Sequence, residues 1–78
     1  MQGTFHLTNH AVRRIIQRGI NMRTFQIVRD YGTREMTDNG ALIIKGLFEE
    51  LKKFGRKDVE KLNIVVRGNN IVTAYYAR

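Results

Sequence analysis

One histidine and two arginines recur at every fourth position near the start of the chain, as His10, Arg14 and Arg18. A spacing of four places side chains along one side of an α-helix, about 40° apart in projection. Histidine exchanges protons readily near neutral pH, and guanidinium groups bind phosphate through paired hydrogen bonds. These three residues, called the His-Arg stripe below, could bind a phosphate group and move a proton beside it. An ordinary solvated basic helix face has the same composition, and the spacing alone does not decide between the two.

The segment that carries the stripe has the pattern of a short amphipathic helix. Thr8 is a suitable N-cap and Gly19 stands where helices often end in the left-handed conformation, so we predict a helix from Asn9 to Arg18. The apolar residues of this helix occupy the neighbouring arc and are predicted to be buried: Ala11, Val12, Ile15 and Ile16. The stripe borders that face, so its side chains are expected to turn toward a sheet edge, whereas Arg13 and Gln17 lie on the solvated side.

A second helix and two β-hairpins are predicted after the stripe. Asn21 can cap a helix over residues 22–31 that ends at Gly32, and its buried side would consist of Met22, Phe25, Ile27 and Val28. "TREM" and "ALIIKG" alternate as strands around an Asn-Gly turn, and "LNIVVR" and "IVTAYYAR" form a second pair. Residues 47–61 suit a short helix, which we favour, or an irregular strand and loop. The expected fold is α+β, with two N-terminal helices packed on an antiparallel sheet of about four strands.

The C-terminal hairpin offers further polar side chains, and its turn decides where they point. A three-residue turn over 68–70 places Arg67, Thr73 and Tyr75 on one sheet face. The opposite face would then carry Leu62, Ile64, Val72 and Tyr76. A two-residue turn would instead put Thr73 and Tyr75 with Leu62 and Ile64, and both registers fit the sequence. Strand formation and core packing also explain the threonine and the tyrosines without any catalytic role.

Composition limits the class of protein. The chain has 78 residues, no Cys and a formal net charge of +7, which fits one small domain over residues 1–78 without disulfides or a zinc ribbon. The excess of basic residues favours nucleic acid, an acidic protein or an anionic surface as the partner. The N-terminus lacks the apolar segment of a signal peptide, and no apolar run is long enough to span a membrane. We therefore expect a cytoplasmic protein without a membrane or cofactor requirement, and a homodimer remains open.

Several short motifs along the whole chain resemble one bacterial family. The motifs are His10-Ala11, Arg14, Arg18-Gly19-Ile20, Val65-Val66, Ile71-Val72-Thr73 and Tyr75-Tyr76. In this order they resemble the small domains catalogued as domain of unknown function 4258. That family is similar in fold to the barnase, colicin nuclease and RelE-like toxin group, many members of which cut RNA without a metal ion.

The resemblance implies an RNA-binding, toxin-like protein of bacterial or phage origin that acts as a metal-independent endoribonuclease through a basic cleft. The candidate catalytic residues are His10, Arg14, Arg18, Thr73 and Tyr75, with His10 as the acid or base. The candidate nucleic-acid contacts are Arg14, Arg18, Arg67, Lys57 and Arg78. Two alternatives stay open. The chain could be a non-catalytic nucleic-acid-binding or regulatory module of the same fold, or a basic interaction protein that binds an acidic partner such as an antitoxin or host factor.

Overall fold

The computed structural model describes residues 5–46 and 57–77, which form an α+β fold. In chain order the elements are β1 His6–Leu7, α1 Asn9–Gln17, α2 Met22–Tyr31, β2 Thr33–Met36, β3 Leu42–Lys45, α3 Lys57–Lys61, β4 Leu62–Arg67 and β5 Asn70–Tyr76. The strands of this part of the chain form one sheet in the order β1-β5-β4-β3-β2. The four predicted strands pair antiparallel, whereas β1 pairs parallel with β5. The sheet is therefore mixed and has one strand more than predicted.

The first helix, α1, has a specific hydrogen-bonded cap at each end. The side chain of Thr8 accepts a hydrogen bond from the first turn. Gly19 has a φ of 63°, and the amide of Ile20 donates to the carbonyl of Ile15 at 3.0 Å, as in a Schellman motif. Arg18 is the C-cap, so α1 ends one residue before the predicted boundary.

The second helix, α2, has the predicted bounds. The Oδ1 atom of Asn21 accepts hydrogen bonds from the backbone amides of Arg23 and Thr24, at 2.8 and 3.3 Å. Gly32 ends the helix and leads directly into β2. A Cβ atom there would lie 2.6 Å from the carbonyl oxygen of Val28 and 2.7 Å from that of Lys45, so only glycine allows so close an approach.

The helices cover one face of the sheet, and the core lies between the two layers. Its members are Ala11, Ile15, Ile20, Phe25, Val28, Ile44, Val59, Leu62, Ile64, Val66, Ile71 and Ala74. Thr24 is also fully buried, and its hydroxyl donates to the carboxylate of Asp58 at 2.5 Å, which ties α2 to α3. The core therefore lies between a helix layer and a sheet, the two layers that the sequence predicted.

Several apolar residues predicted to be buried are exposed. The exposed fractions are 37% for Val12, 73% for Ile16 and 46% for Met22, and Ile27 is only half-buried. The prediction was wrong for these residues because the apolar arc of each helix is wider than the strip that meets the sheet. On α1 only the line through Ala11 and Ile15 reaches the core.

The register of the C-terminal hairpin combines a two-residue turn with a β-bulge. Arg67 pairs with Asn70, and the register then shifts so that Val65 lies opposite Thr73. The extra residue is Val72, which has no partner in the ladder. Thr73 and Tyr75 therefore occupy the face away from Leu62 and Ile64, as predicted for a three-residue turn. Val72, which that register placed on the face of Leu62 and Ile64, is half-buried, and Ile71 fills the place in the core.

Part of the ambiguous segment is resolved by the structure. Residues Lys57–Lys61 form α3, while the helix considered for residues 47–56 lies outside the described residues. Within the described ranges no helix is both long enough and apolar enough to cross a bilayer.

Candidate nucleic-acid interface

α1 lies along β5 and is attached to it at both ends. At its N-terminus, the hydroxyl of Thr8 donates to the carbonyl oxygen of Ile71 at 2.8 Å. At its C-terminus, Arg18 Nη1 donates to the carbonyl oxygen of Ala74 at 2.6 Å and to the hydroxyl of Thr73 at 3.2 Å. β1 pairs only with the first two residues of β5, so Arg18 binds the strand beyond the reach of β1. These bonds place the His-Arg stripe along β5 between Ile71 and Ala74.

The first two residues of the stripe contact each other. Arg14 Nε donates to His10 Nε2 at 3.4 Å, and Arg14 Nη1 donates to Gln17 Oε1 at the same distance. A guanidinium group can only donate, so Nε2 of the imidazole is the acceptor in this contact. His10 is exposed, and Arg14 is half-buried. The imidazole of His10 is therefore accessible to solvent and in contact with Arg14.

The hairpin residues form a row on one sheet face. Thr73 contacts Arg18, and Tyr75 lies two residues further along β5, half-buried and opposite Asn63. Arg67 is exposed at the turn end of β4, about 7 Å along the strand from the residue that pairs with Thr73. The structure thus joins Arg18 with Thr73 and places Tyr75 and Arg67 on either side of that contact.

Two predicted phosphate contacts cannot be placed. Lys57 begins α3, but its side chain lies outside the described part, and Arg78 lies wholly outside it. Their proposed roles remain predictions.

Positive charge is concentrated in the N-terminal part of the chain. No Asp or Glu precedes Asp30, whereas five arginines occur up to that point: Arg13, Arg14, Arg18, Arg23 and Arg29. Asp30 forms an ion pair with its neighbour Arg29 at 2.9 Å. The stripe is therefore without a carboxylate from its own segment, and the field around it favours anions.

Sequence reasoning missed the contacts that fix the stripe. Gln17 is exposed, in agreement with its placement on the solvated side, but its hydrogen bond from Arg14 was not predicted, although a spacing of three residues could have indicated it. The Ala74 carbonyl could not be identified, because it becomes available only when the pairing of β5 is known. Within residues 5–46 and 57–77 no group of three or more His, Asp or Glu side chains is arranged as metal ligands.

Comparison of the chain with protein-family models, curated proteins and solved structures gave no match. The resemblance to domain of unknown function 4258 therefore stays a prediction from the motifs.

Proposed function

We propose that the protein binds RNA along α1 and the adjoining half of β5, and cleaves it there without a metal ion. The observation that carries the proposal is the contact of Arg18 with Thr73, which joins the His-Arg stripe to the hydroxyl groups of the C-terminal hairpin. The absence of carboxylates before Asp30 supports an anionic ligand on this side of the molecule. RNA has the phosphates that these groups suit, and it also has the 2′-hydroxyl that metal-free cleavage requires.

Cleavage would proceed by transfer within the RNA backbone. The 2′-oxygen attacks the adjacent phosphorus, its proton passes to His10 Nε2, and the P–O5′ bond breaks to leave a 2′,3′-cyclic phosphate. The departing 5′-oxygen takes a proton from water or from a hydroxyl group, for which Tyr75 is the candidate. Positive charge from Arg14 and hydrogen bonds from Thr73 stabilise the extra negative charge on phosphorus.

Arg14 has a specific part in this scheme. It donates to the same imidazole nitrogen that must receive the proton. A phosphate group bound by both Nε and an Nη of Arg14 would draw the guanidinium away from His10. The lone pair of Nε2 then becomes available only when substrate is present.

A non-catalytic RNA-binding module of the same fold is the second candidate. It is favoured by the bond from Arg18 to the Ala74 carbonyl, because a guanidinium that holds a strand has fewer donors left for a transition state. Binding without cleavage is the result that would decide for this candidate.

The test is single-turnover cleavage of a mixed-sequence RNA in the presence of EDTA, with filter binding measured on the same preparations. We expect His10→Ala to slow cleavage by about 10² to 10⁴-fold and to leave RNA affinity nearly unchanged. His10→Gln is the matched control for side-chain size and hydrogen bonding, and it should be equally slow because a carboxamide does not accept a proton near neutral pH. Normal cleavage by both variants would exclude His10 as the proton acceptor, and no RNA binding by the wild type would exclude the whole proposal.

A further inference from the structure

An apolar groove lies where α1 meets the start of α2. It has a volume of about 510 Å³ and is lined by Leu7, Val12, Ile15, Ile16, Gly19, Ile20 and Met22. Three exposed apolar residues, Val12, Ile16 and Met22, are among them. Isolated exposed apolar residues are common, but several that line one concavity are typical of an interaction site.

The groove and the His-Arg stripe lie on opposite flanks of α1. In projection, with His10 at zero, the core line through Ala11 and Ile15 lies at about 100° to 140°. The stripe lies at about 0° to 80°, and Val12 and Ile16 lie at about 200° to 240°. The groove is therefore independent of the surface proposed for RNA.

The rim of the groove is positively charged. Arg13 is exposed and three residues from Ile16, so the two are neighbours on the helix surface. No residue that lines the groove is acidic, and none of residues 5–29 is acidic either.

We propose that this groove binds an acidic amphipathic segment of a partner protein. Apolar side chains of the segment would fill the concavity, while its carboxylates would flank the groove and contact Arg13. A second copy of the chain fits less well, because a two-fold interface built on this groove would bring two positively charged rims together. A bilayer also fits less well, because a flat surface cannot fill a concave groove.

The experiment is selection of random displayed peptides of about 16 residues on the full-length chain. We expect the enriched sequences to carry apolar residues at helical spacing and more Asp and Glu than Lys and Arg. Fluorescence anisotropy of the enriched peptides should show affinity about tenfold or more weaker for the double variant Ile16→Ser and Met22→Ser. Ile16→Ser alone should give a smaller loss, and because Ile16 is 73% exposed this variant tests the groove even if the double variant does not fold.

RNA binding separates this proposal from the proposed function. Both serine substitutions leave the net charge unchanged and lie away from the stripe, so RNA affinity of the variants should equal that of the wild type. The proposal is overturned if no peptide is enriched, if enriched peptides are not acidic, or if they bind the double variant equally well. It is also overturned if sedimentation shows a wild-type dimer that the double variant lacks, or if vesicles of phosphatidylcholine and phosphatidylserine bind only the wild type.

Discussion

The arginines of α1 have different surroundings, although in the sequence they differ only in position. Arg14 contacts His10 and Gln17 and is half-buried, whereas Arg13 is exposed on the outward side of the helix. Arg18 donates hydrogen bonds to Ala74 and Thr73 of β5. Charge alone would make the three equivalent, so substitution of each one separates a binding role from a structural role.

Arg14→Ala should weaken RNA binding and slow cleavage together. It removes a phosphate donor whose positive charge would also stabilise the transition state, so we expect roughly a tenfold loss of affinity and a further loss in single-turnover rate. Arg13→Ala removes the same charge from the outward side and should have a much smaller effect on both measurements. Equal effects of the two variants would show that the stripe is only a charged helix face.

Arg18→Ala should lower stability, which the other two substitutions should not do. The guanidinium bridges α1 and β5 by two hydrogen bonds, one of them to a backbone carbonyl, and we expect a loss of about 1 kcal/mol in the free energy of unfolding because the site is exposed. Thr73→Val removes only the hydroxyl partner and should cost less. Urea denaturation measures both, and a fully stable Arg18→Ala variant would contradict the structural role.

At the scale of elements, the two N-caps have different consequences for the site. Thr8 caps α1 and also donates to Ile71 of β5, whereas Asn21 caps only α2. Thr8→Val and Asn21→Ala should each cost about 1 to 2 kcal/mol of stability in urea denaturation. Only Thr8→Val should also weaken RNA binding, because it loosens the attachment that sets α1 beside β5. Thr8→Ser keeps both hydrogen bonds and is the control. If Asn21→Ala also loses RNA binding under conditions where the variant is fully folded, the two caps do not differ in their effect on the site.

The ends of the elements were predictable wherever a local chemical signal exists. Thr8, Gly19, Asn21 and Gly32 mark the ends of α1 and α2 because caps and close backbone approaches demand particular residue types. β1 gave no such signal, since His6–Leu7 is too short to show a period of two. It forms only because β5 is available to pair with it.

Contacts between residues that are far apart in the sequence, and the exposure of helix side chains, could not be predicted from such local signals. The contact of Arg18 with Thr73 depends on the β-bulge beside Val72, and a bulge has no strong sequence signal without glycine. The exposure of Ile16 depends on how far α1 is rotated over the sheet, which periodicity does not specify. Helix composition could therefore indicate the stripe, but neither its partner on β5 nor the groove on the other flank.

At the scale of the whole molecule, charge is distributed unevenly along the chain. Every acidic residue lies at or beyond Asp30, while α1 and the first half of α2 carry only positive charge. The described salt bridges, Arg29 with Asp30 and Lys45 with Glu35, leave the arginines of α1 unneutralised. The molecule therefore has a basic side built around α1, and polyanions should approach it from that side.

RNA affinity should fall steeply with salt because binding at this side releases counterions from the phosphates. If three or four phosphates of a single strand are contacted, affinity should drop about 20- to 50-fold between about 50 mM and 200 mM salt. Arg14→Ala should make the slope of log affinity against log salt shallower by about 0.7, the value of one lost phosphate contact. The Ile16→Ser and Met22→Ser double variant, altered on the other flank of α1, should keep the wild-type slope. Filter binding across a salt series measures all three chains, and a wild-type affinity that does not depend on salt would mean that the basic side serves something other than RNA.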